Sequence, residues 1–222
     1  MPTKANAWAT VRRSLGSSKQ TTPKNAGRHW RALPHVDAVH ATQTALGDAG
    51  LKPIATQCHV SNDGKELVMW FDFAKGVSLG LLNGTSLRRA LIYCPAVREE
   101  EMRYPCNWFR YKHTCGLKDR PQHGQAAITM CQMVQNIDTT KWASWSALNN
   151  GGLKSPSAFV YSLDLAKKRL IPWSRLGPVI EACQRPQTKL GVLRLLGKAA
   201  AQGPPLQYPA TMWKIYQALL EA

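Results

Sequence analysis

The stretch from Ile54 to Leu82 constrains the fold most, because it holds three apolar runs separated by two turn signals. Each run has the length of a strand, and the three are Ile54–Val60, Leu67–Phe73 and Val77–Leu82. Asn62-Asp63-Gly64 and Lys75-Gly76 supply residues that tolerate the positive φ of tight turns. We therefore predict a meander of three antiparallel strands.

A helical pattern precedes this meander. It runs from Pro34 to about Ala49, and Gly50 can take the left-handed conformation that ends a helix. The residues that share one face of this helix are Val36, Val39, Gln43, Leu46 and Gly50. We expect this face to pack on the sheet.

Further strands are expected after the meander, where Asn83-Gly84-Thr85-Ser86 breaks the pattern. Leu87–Cys94 begins like a helical turn and ends like a buried strand. The cluster Glu99–Glu101 predicts a solvated loop, with an ion pair to Arg98 or Arg103 as the alternative. Trp108–Thr114 reads as another strand, and Gly116–Gly124 as a loop.

The pattern becomes helical from Gln125 onward, with apolar residues at spacings of three and four. One further helix starts at Ser155-Pro156, and Pro172 stops it. The remaining predicted helices are Trp173–Cys183, Thr188–Ala201 and Thr211–Ala222. The predicted fold class is α+β: an N-terminal helix and an antiparallel meander of four to five strands, then a mainly helical C-terminal half.

The charge balance is unusual for a chain of ordinary hydrophobicity. The 222 residues include 29 Lys+Arg against 13 Asp+Glu, a net charge of +16. Residues 1–33 carry seven of these cations and no acid, so we predict a flexible basic arm before a single α+β domain over residues 34–222. Within that domain, residues 34–116 hold the helix and sheet, and residues 125–222 the helical part. Such a positive field attracts polyanions, nucleic acid above all.

The segment Asn107–Thr114 concentrates aromatic and cationic side chains more than any other. As a strand it places Trp108, Arg110 and Lys112 on one face, opposite Phe109, Tyr111 and His113. Single strands of nucleic acid are held by cationic grooves and aromatic platforms. The residues predicted to bind nucleic acid are Arg12, Arg13, Arg88, Arg89, Arg103, Trp108, Arg110 and Lys112.

Enzymatic and metal chemistry find less support in the sequence. A zinc site from Cys106, His113, Cys115, His123 and Cys131 lacks the paired ligand spacing of structural zinc sites. Acids are few, and of the carboxylates that flank the first hairpin, Asp63 fits a turn and Asp72 an exposed face. No phosphate-binding loop or nucleophile motif occurs. We predict no catalytic residue, metal or cofactor.

Several short segments occur in a recognisable order: Leu81–Arg88, Ile92–Cys94, Arg110–Thr114, Leu165–Ile180 and Trp213–Ala218. In this order the chain resembles the phage/plasmid-like protein family, a domain of unknown function in bacteriophages and mobile elements. The resemblance implies a phage setting and a role in replication, recombination or host takeover. A helix before a small antiparallel meander is also similar to the core of phage single-strand annealing proteins.

The function predicted from these observations is binding of single-stranded DNA with annealing of complementary strands by a homo-oligomer. The alternative is a virion-associated or host-interaction protein whose basic arm contacts nucleic acid. We expect no small-molecule substrate, and no membrane span because no run of about 18 apolar residues occurs. Six scattered cysteines without an export signal favour reduced thiols in a bacterial host cytoplasm.

Overall fold

A computed structural model describes residues 33–85, 90–112, 120–136, 143–150, 152–185 and 187–222. The chain forms two compact units. The first consists of the described residues up to Pro95 and of those from Trp108 to Asn136; the second consists of Ala96–Asn107 and the described residues from 143 onward. A single domain over residues 34–222 stays a prediction. Apart from Leu33, the predicted arm lies outside the described residues.

The first unit is built on an antiparallel sheet, and the predicted meander is confirmed. Its strands are β1 (Ala55–Val60), β2 (Glu66–Asp72) and β3 (Val77–Gly84). Gly64 and both residues of the Lys75-Gly76 turn have positive φ, as the turns require. β3 is followed by β4 (Ala90–Glu99), its neighbour in the sheet. The expected break at Asn83-Gly84 is wrong, since β3 continues through both residues.

Two helices, α1 (His35–Asp48) and α2 (Arg120–Asn136), pack against each other and against β3. The α1 helix was predicted, but its buried face differs. Val39 and Leu46 are buried as expected, whereas Val36 is 46% exposed and Thr42 is fully buried. Thr42 tolerates burial because its Oγ1 donates to the Ala38 carbonyl at 2.8 Å. The α2 helix begins at Arg120, within the segment predicted to be a loop.

His35 at the start of α1 is buried and hydrogen-bonded through both ring nitrogens. Nε2 donates to the Gly64 carbonyl at 3.1 Å, and Nδ1 accepts from Asn83 Nδ2 at 2.9 Å. Asn83 Nδ2 also donates to the Leu33 carbonyl at 2.9 Å, which fixes the orientation of the amide. This arrangement requires a neutral imidazole, because a proton on Nδ1 would face an N–H group.

We expect the free energy of unfolding to decrease as the pH is lowered, because folded His35 resists taking up a proton. Desolvation by burial lowers the pKa of His35 below its usual 6.5, so the unfolded chain takes up the proton first. The contribution of neutral His35 to the free energy of unfolding is complete above about pH 6.5. It is lost as the pH falls toward the lowered pKa, at no more than about 1.4 kcal/mol per pH unit. Urea titrations at about pH 7 and pH 5.5 measure this. His35→Gln, which keeps a neutral donor, should reduce the difference; an unchanged difference would contradict the assignment.

The β4 strand pairs with two further strands, each over four residues. Its first half pairs with β6 (Phe109–Lys112) and its second half with β5 (Met102–Pro105). Between the two registers, three residues (106–108) lie opposite two (94–95), which defines a β-bulge. Pro95 has no N–H group for the ladder, so pairing is interrupted where the bulge occurs.

The β5 strand was missed by the sequence analysis, which predicted a solvated loop at Glu99–Glu101. Glu99 ends β4, and Glu100, with φ of 52°, forms the turn into β5. The sequence analysis also did not predict the ion pair of Glu99 with Arg194. The Glu99 carboxylate accepts from Nε and an Nη of Arg194, both at 2.8 Å, because the second unit brings the two side chains together.

The rest of the second unit is mainly helical, as predicted. Its further elements are α3 (Ala143–Asn149), β7 (Gly152–Leu153), α4 (Pro156–Ser162), α5 (Trp173–Ala182), β8 (Gln187–Thr188), α6 (Lys189–Ala201) and α7 (Tyr208–Glu221). Tyr104 of β5 joins a core formed by these helices, with Leu193, Leu196 and Met212 fully buried. The helix that starts at Pro156 ends at Ser162, well before Pro172, because the chain turns at Asp164. No helix in the described ranges is long and apolar enough to cross a membrane.

Candidate nucleic-acid interface

The predicted binding strand is present as β6, and strand pairing fixes which of its residues share a face. Arg110 lies opposite Ile92, and Lys112 lies opposite Ala90. Directly opposed residues project to the same side of a sheet, so both cations belong to one face. Arg110 is exposed, while for Lys112 only the backbone position is described. The predicted strand is confirmed over Phe109–Lys112, whereas a role of Arg110 and Lys112 in binding stays a prediction.

The opposite face anchors the strand. Phe109 and Tyr111 are half-buried there, and the Tyr111 ring meets the Tyr93 ring edge-on at 6.2 Å between centroids. Tyr93 is fully buried, and its hydroxyl lies 2.8 Å from Thr42 Oγ1. Burial raises the pKa of Tyr93 to about 12, so its hydroxyl stays protonated and donates to Thr42. The aromatic face of β6 therefore holds the strand in place while Arg110 points outward.

Trp108 does not continue this alternation. It precedes β6 and belongs to the bulge, where one extra residue changes the order of facing side chains. Its side chain is half-buried. Of the predicted row, Arg110 and Lys112 lie two residues apart on β6, and Trp108 precedes the strand in irregular backbone.

Among the strands that the structure describes, β6 pairs with β4 alone and so forms an edge. Charged side chains on an edge strand discourage pairing with another sheet, which gives Arg110 and Lys112 a structural effect as well. The same geometry presents the Arg110 charge to solvent, where a phosphate can approach.

Arg103 is mostly buried. It lies on β5 in the second unit and is only 9% exposed. Its guanidinium donates to the Glu101 carbonyl at 3.4 Å, and its own carbonyl accepts from the Tyr208 hydroxyl at 2.9 Å. Arg103 thus lacks the exposed charge that the prediction required. The predicted residues Arg12, Arg13, Arg88 and Arg89 lie outside the described residues.

Two of the three thiols considered for a zinc site, Cys106 and Cys131, lie in the described part of the chain. Cys106 is half-buried and donates to the Tyr104 carbonyl at 3.2 Å. Cys131 is fully buried in α2, and burial raises its pKa to about 11, which disfavours the thiolate that binds zinc. His113, Cys115 and the His123 side chain lie outside the described part of the chain. The described residues contain no group of three His, Cys, Asp or Glu side chains placed to hold a metal ion.

The carboxylates that flank the first hairpin are separated along it. Asp63 sits in the β1–β2 turn, where it accepts from Ser61 Oγ at 2.6 Å and pairs with Lys65 at 3.0 Å. Asp72 lies at the far end of β2. The prediction of an exposed Asp72 is wrong: the side chain is 2% exposed and accepts from Ser78 Oγ at 2.6 Å. The Ser78 hydroxyl satisfies the carboxylate and makes its burial possible.

Comparison with models of known families, with curated proteins and with solved structures gives no match. The function must be argued from the site itself. The resemblance to the phage/plasmid-like family stays a prediction.

The sequence analysis missed a second cluster, on the surface of the second unit. Tyr161 lies in the last turn of α4, Trp173 begins α5, and both rings are exposed. The turns that connect the two helices carry three successive exposed cations, Lys167, Lys168 and Arg169. Hydrophobic periodicity does not predict this cluster, because Trp173 has the spacing of a residue on the buried face of α5. The only sequence signal was the proximity of two aromatic residues to three successive cations.

Proposed function

We propose that this chain binds single-stranded DNA without a cofactor, and that an oligomer of it promotes annealing of complementary strands. The observation that carries the proposal is the exposed Arg110 on the edge strand β6, in a chain of net charge +16. A cation on a paired strand has a fixed backbone, so it can contact phosphate without ordering a loop first. Lys112 lies on the same face two residues on.

Annealing follows from the same electrostatics. Two complementary strands repel each other through their phosphates, and bound cations reduce this repulsion while releasing condensed counterions. Contacts made to phosphates leave the base edges free to pair. No nucleotide hydrolysis or metal chemistry is needed for this step. A protein of this kind binds an unpaired strand more tightly than a duplex of the same length.

The first test is charge reversal on β6. We expect Arg110→Glu combined with Lys112→Glu to weaken binding to a labelled oligonucleotide at least about tenfold at low salt, because two attractive contacts become repulsive. Fluorescence anisotropy measures the dissociation constant. The matched control is Lys52→Glu with Lys154→Glu, which makes the same change in net charge at two exposed lysines outside β6.

The outcomes separate clearly. If the wild-type protein shows no affinity for an oligonucleotide at low salt, the proposed function is wrong. If both double variants lose affinity equally, net charge alone determines binding and the role of β6 is wrong. Annealing is measured by quenching between labelled complementary strands, and binding without faster annealing would overturn that part of the proposal.

A further inference from the structure

Tyr161 and Trp173 in the second unit are the two most exposed large apolar side chains in the described part of the chain. Their exposed fractions are 54% and 60%, and their ring centroids lie 5.9 Å apart at an interplanar angle of 42°. Single apolar residues are common on protein surfaces, but paired aromatic rings beside charged groups are typical of binding sites. Rings left in water contribute little to folding, whereas a ligand that covers them gains the free energy of burying their apolar surface.

The backbone between the two rings holds them together. After α4 the chain turns back, with positive φ at Asp164 and Arg169. The fold of these turns is fixed by hydrogen bonds from Lys168 N to the Asp164 carbonyl at 2.9 Å and from Leu170 N to the Leu165 carbonyl at 2.8 Å. Leu165 and Ile171 are fully buried and anchor the turns to the core. Trp173 is thereby returned to the side of Tyr161 in a fixed geometry.

A cleft of about 290 Å³ lies beside the two rings. Its floor is apolar, formed by Leu165, Leu176 and Ile180, and Asp164 and Lys167 line its polar side. This volume is at the lower end of small-molecule sites, which suits one planar ring and not a dinucleotide cofactor.

The charge around the cleft is positive. Lys167, Lys168 and Arg169 are all exposed, and Asp164 is the one acid that lines the cleft. None of these three cations forms an ion pair with another described residue. They are therefore available for an anionic ligand, and a ligand with a planar group and an adjoining negative charge matches both halves of the site.

We propose that this basic aromatic cleft stacks an unpaired base of single-stranded DNA on Trp173 and Tyr161, with the adjoining phosphates on Lys167, Lys168 and Arg169. This inference rests on the proposed function and adds a second contact region to it. The base lies against the open ring faces and not between the rings, since two stacking gaps need about 7 Å and the rings are 5.9 Å apart. Stacking of this kind accepts every base because each has a π-face.

The carboxylate of Asp164 adds a preference among bases. It can accept a hydrogen bond from the amino group of cytosine or adenine, which thymine lacks. We therefore expect oligo(dC) to bind more tightly than oligo(dT) of the same length. Asp164→Gly should remove this preference without straining the backbone, because glycine readily adopts the positive φ found at this position.

The test is Trp173→Ala, measured by fluorescence anisotropy with labelled oligo(dC). We expect the dissociation constant to rise by between about 5-fold and 150-fold, the usual effect of removing one stacking ring. Trp173→Phe, which keeps a π-face, should retain most of the affinity. Leu220→Ala, at an exposed apolar position on α7, is the matched control and should bind as the wild type does.

The outcomes distinguish this inference from the proposed function. If the wild type binds oligo(dC) and Trp173→Ala binds it equally well, the cleft plays no part and the proposed function stands. Without wild-type binding to any oligonucleotide, both proposals fall. Binding of polyglutamate that depends on Trp173, with no such dependence for oligo(dC), would overturn base stacking in favour of an acidic protein segment.

Discussion

Replacing Gly80 with alanine will lower the free energy of unfolding by about 1–3 kcal/mol, the usual cost of adding a methyl group to a filled core. A Cβ at this position would lie 2.7 and 2.9 Å from two ring carbons of Trp70, and closer still to Cys94 Sγ. Gly80 is directly opposite Trp70 in the β2–β3 register, so the indole covers it. Both neighbours are buried, and neither can move without displacing others.

Guanidinium unfolding followed by circular dichroism measures this loss, and a double-mutant cycle identifies its cause. Cys94→Ala removes the sulfur, so we expect Gly80→Ala to cost less in that background. Gly47→Ala in α1 is the control, because a Cβ there meets nothing within 4 Å. It should stabilise the chain by up to about 1 kcal/mol through helix propensity. A Gly80→Ala variant as stable as wild type would contradict the packing described for this sheet.

The features that sequence reasoning recovered are those decided locally. Positive φ at Gly64 and at Lys75-Gly76 depends on the residues of the turns themselves, so the meander could be predicted. β5 could not be predicted, because its glutamate-rich approach is typical of solvent-exposed loops. What makes it a strand is its pairing with β4 and the burial of Tyr104 among distant helices, and both depend on tertiary structure.

The helix that starts at Pro156 shows a second limit. Val160, Leu163 and Ala166 keep helical spacing, yet α4 ends at Ser162. Leu163 is nevertheless buried. The apolar spacing therefore predicted correctly which residues are buried, but it did not predict where the helix ends.

The exposure of individual side chains was the least predictable property of the candidate site. Alternation along β6 placed Arg110 correctly because strand pairing decides it. Arg103 was expected at the surface, but its side chain is buried on β5, and its carbonyl accepts from Tyr208 of α7, 105 residues later in the chain. Trp173 is exposed because it begins its helix and projects beyond the residues that would cover it.

Raising the salt concentration from about 50 mM to about 200 mM will weaken binding to single-stranded DNA roughly 300-fold if six cations contact phosphate. The logarithm of affinity for a single strand falls with the logarithm of salt at about 0.7 per phosphate contact, which gives a slope near −4 for six contacts. The basic arm, β6 and the cleft together provide twelve cations, so six contacts do not require every cation to bind.

The slope of log affinity against log salt also shows how many phosphate contacts β6 makes and whether the basic aromatic cleft acts by stacking. Arg110→Glu with Lys112→Glu should reduce its magnitude by about 1.4, because two contacts are lost. Trp173→Ala should lower affinity at every salt concentration with the slope unchanged, since stacking releases no counterions. A slope near zero in the wild type would contradict phosphate binding altogether. A slope that Trp173→Ala changes as much as charge reversal does would mean that the ring acts by positioning Lys167, Lys168 and Arg169, and stacking would then be wrong.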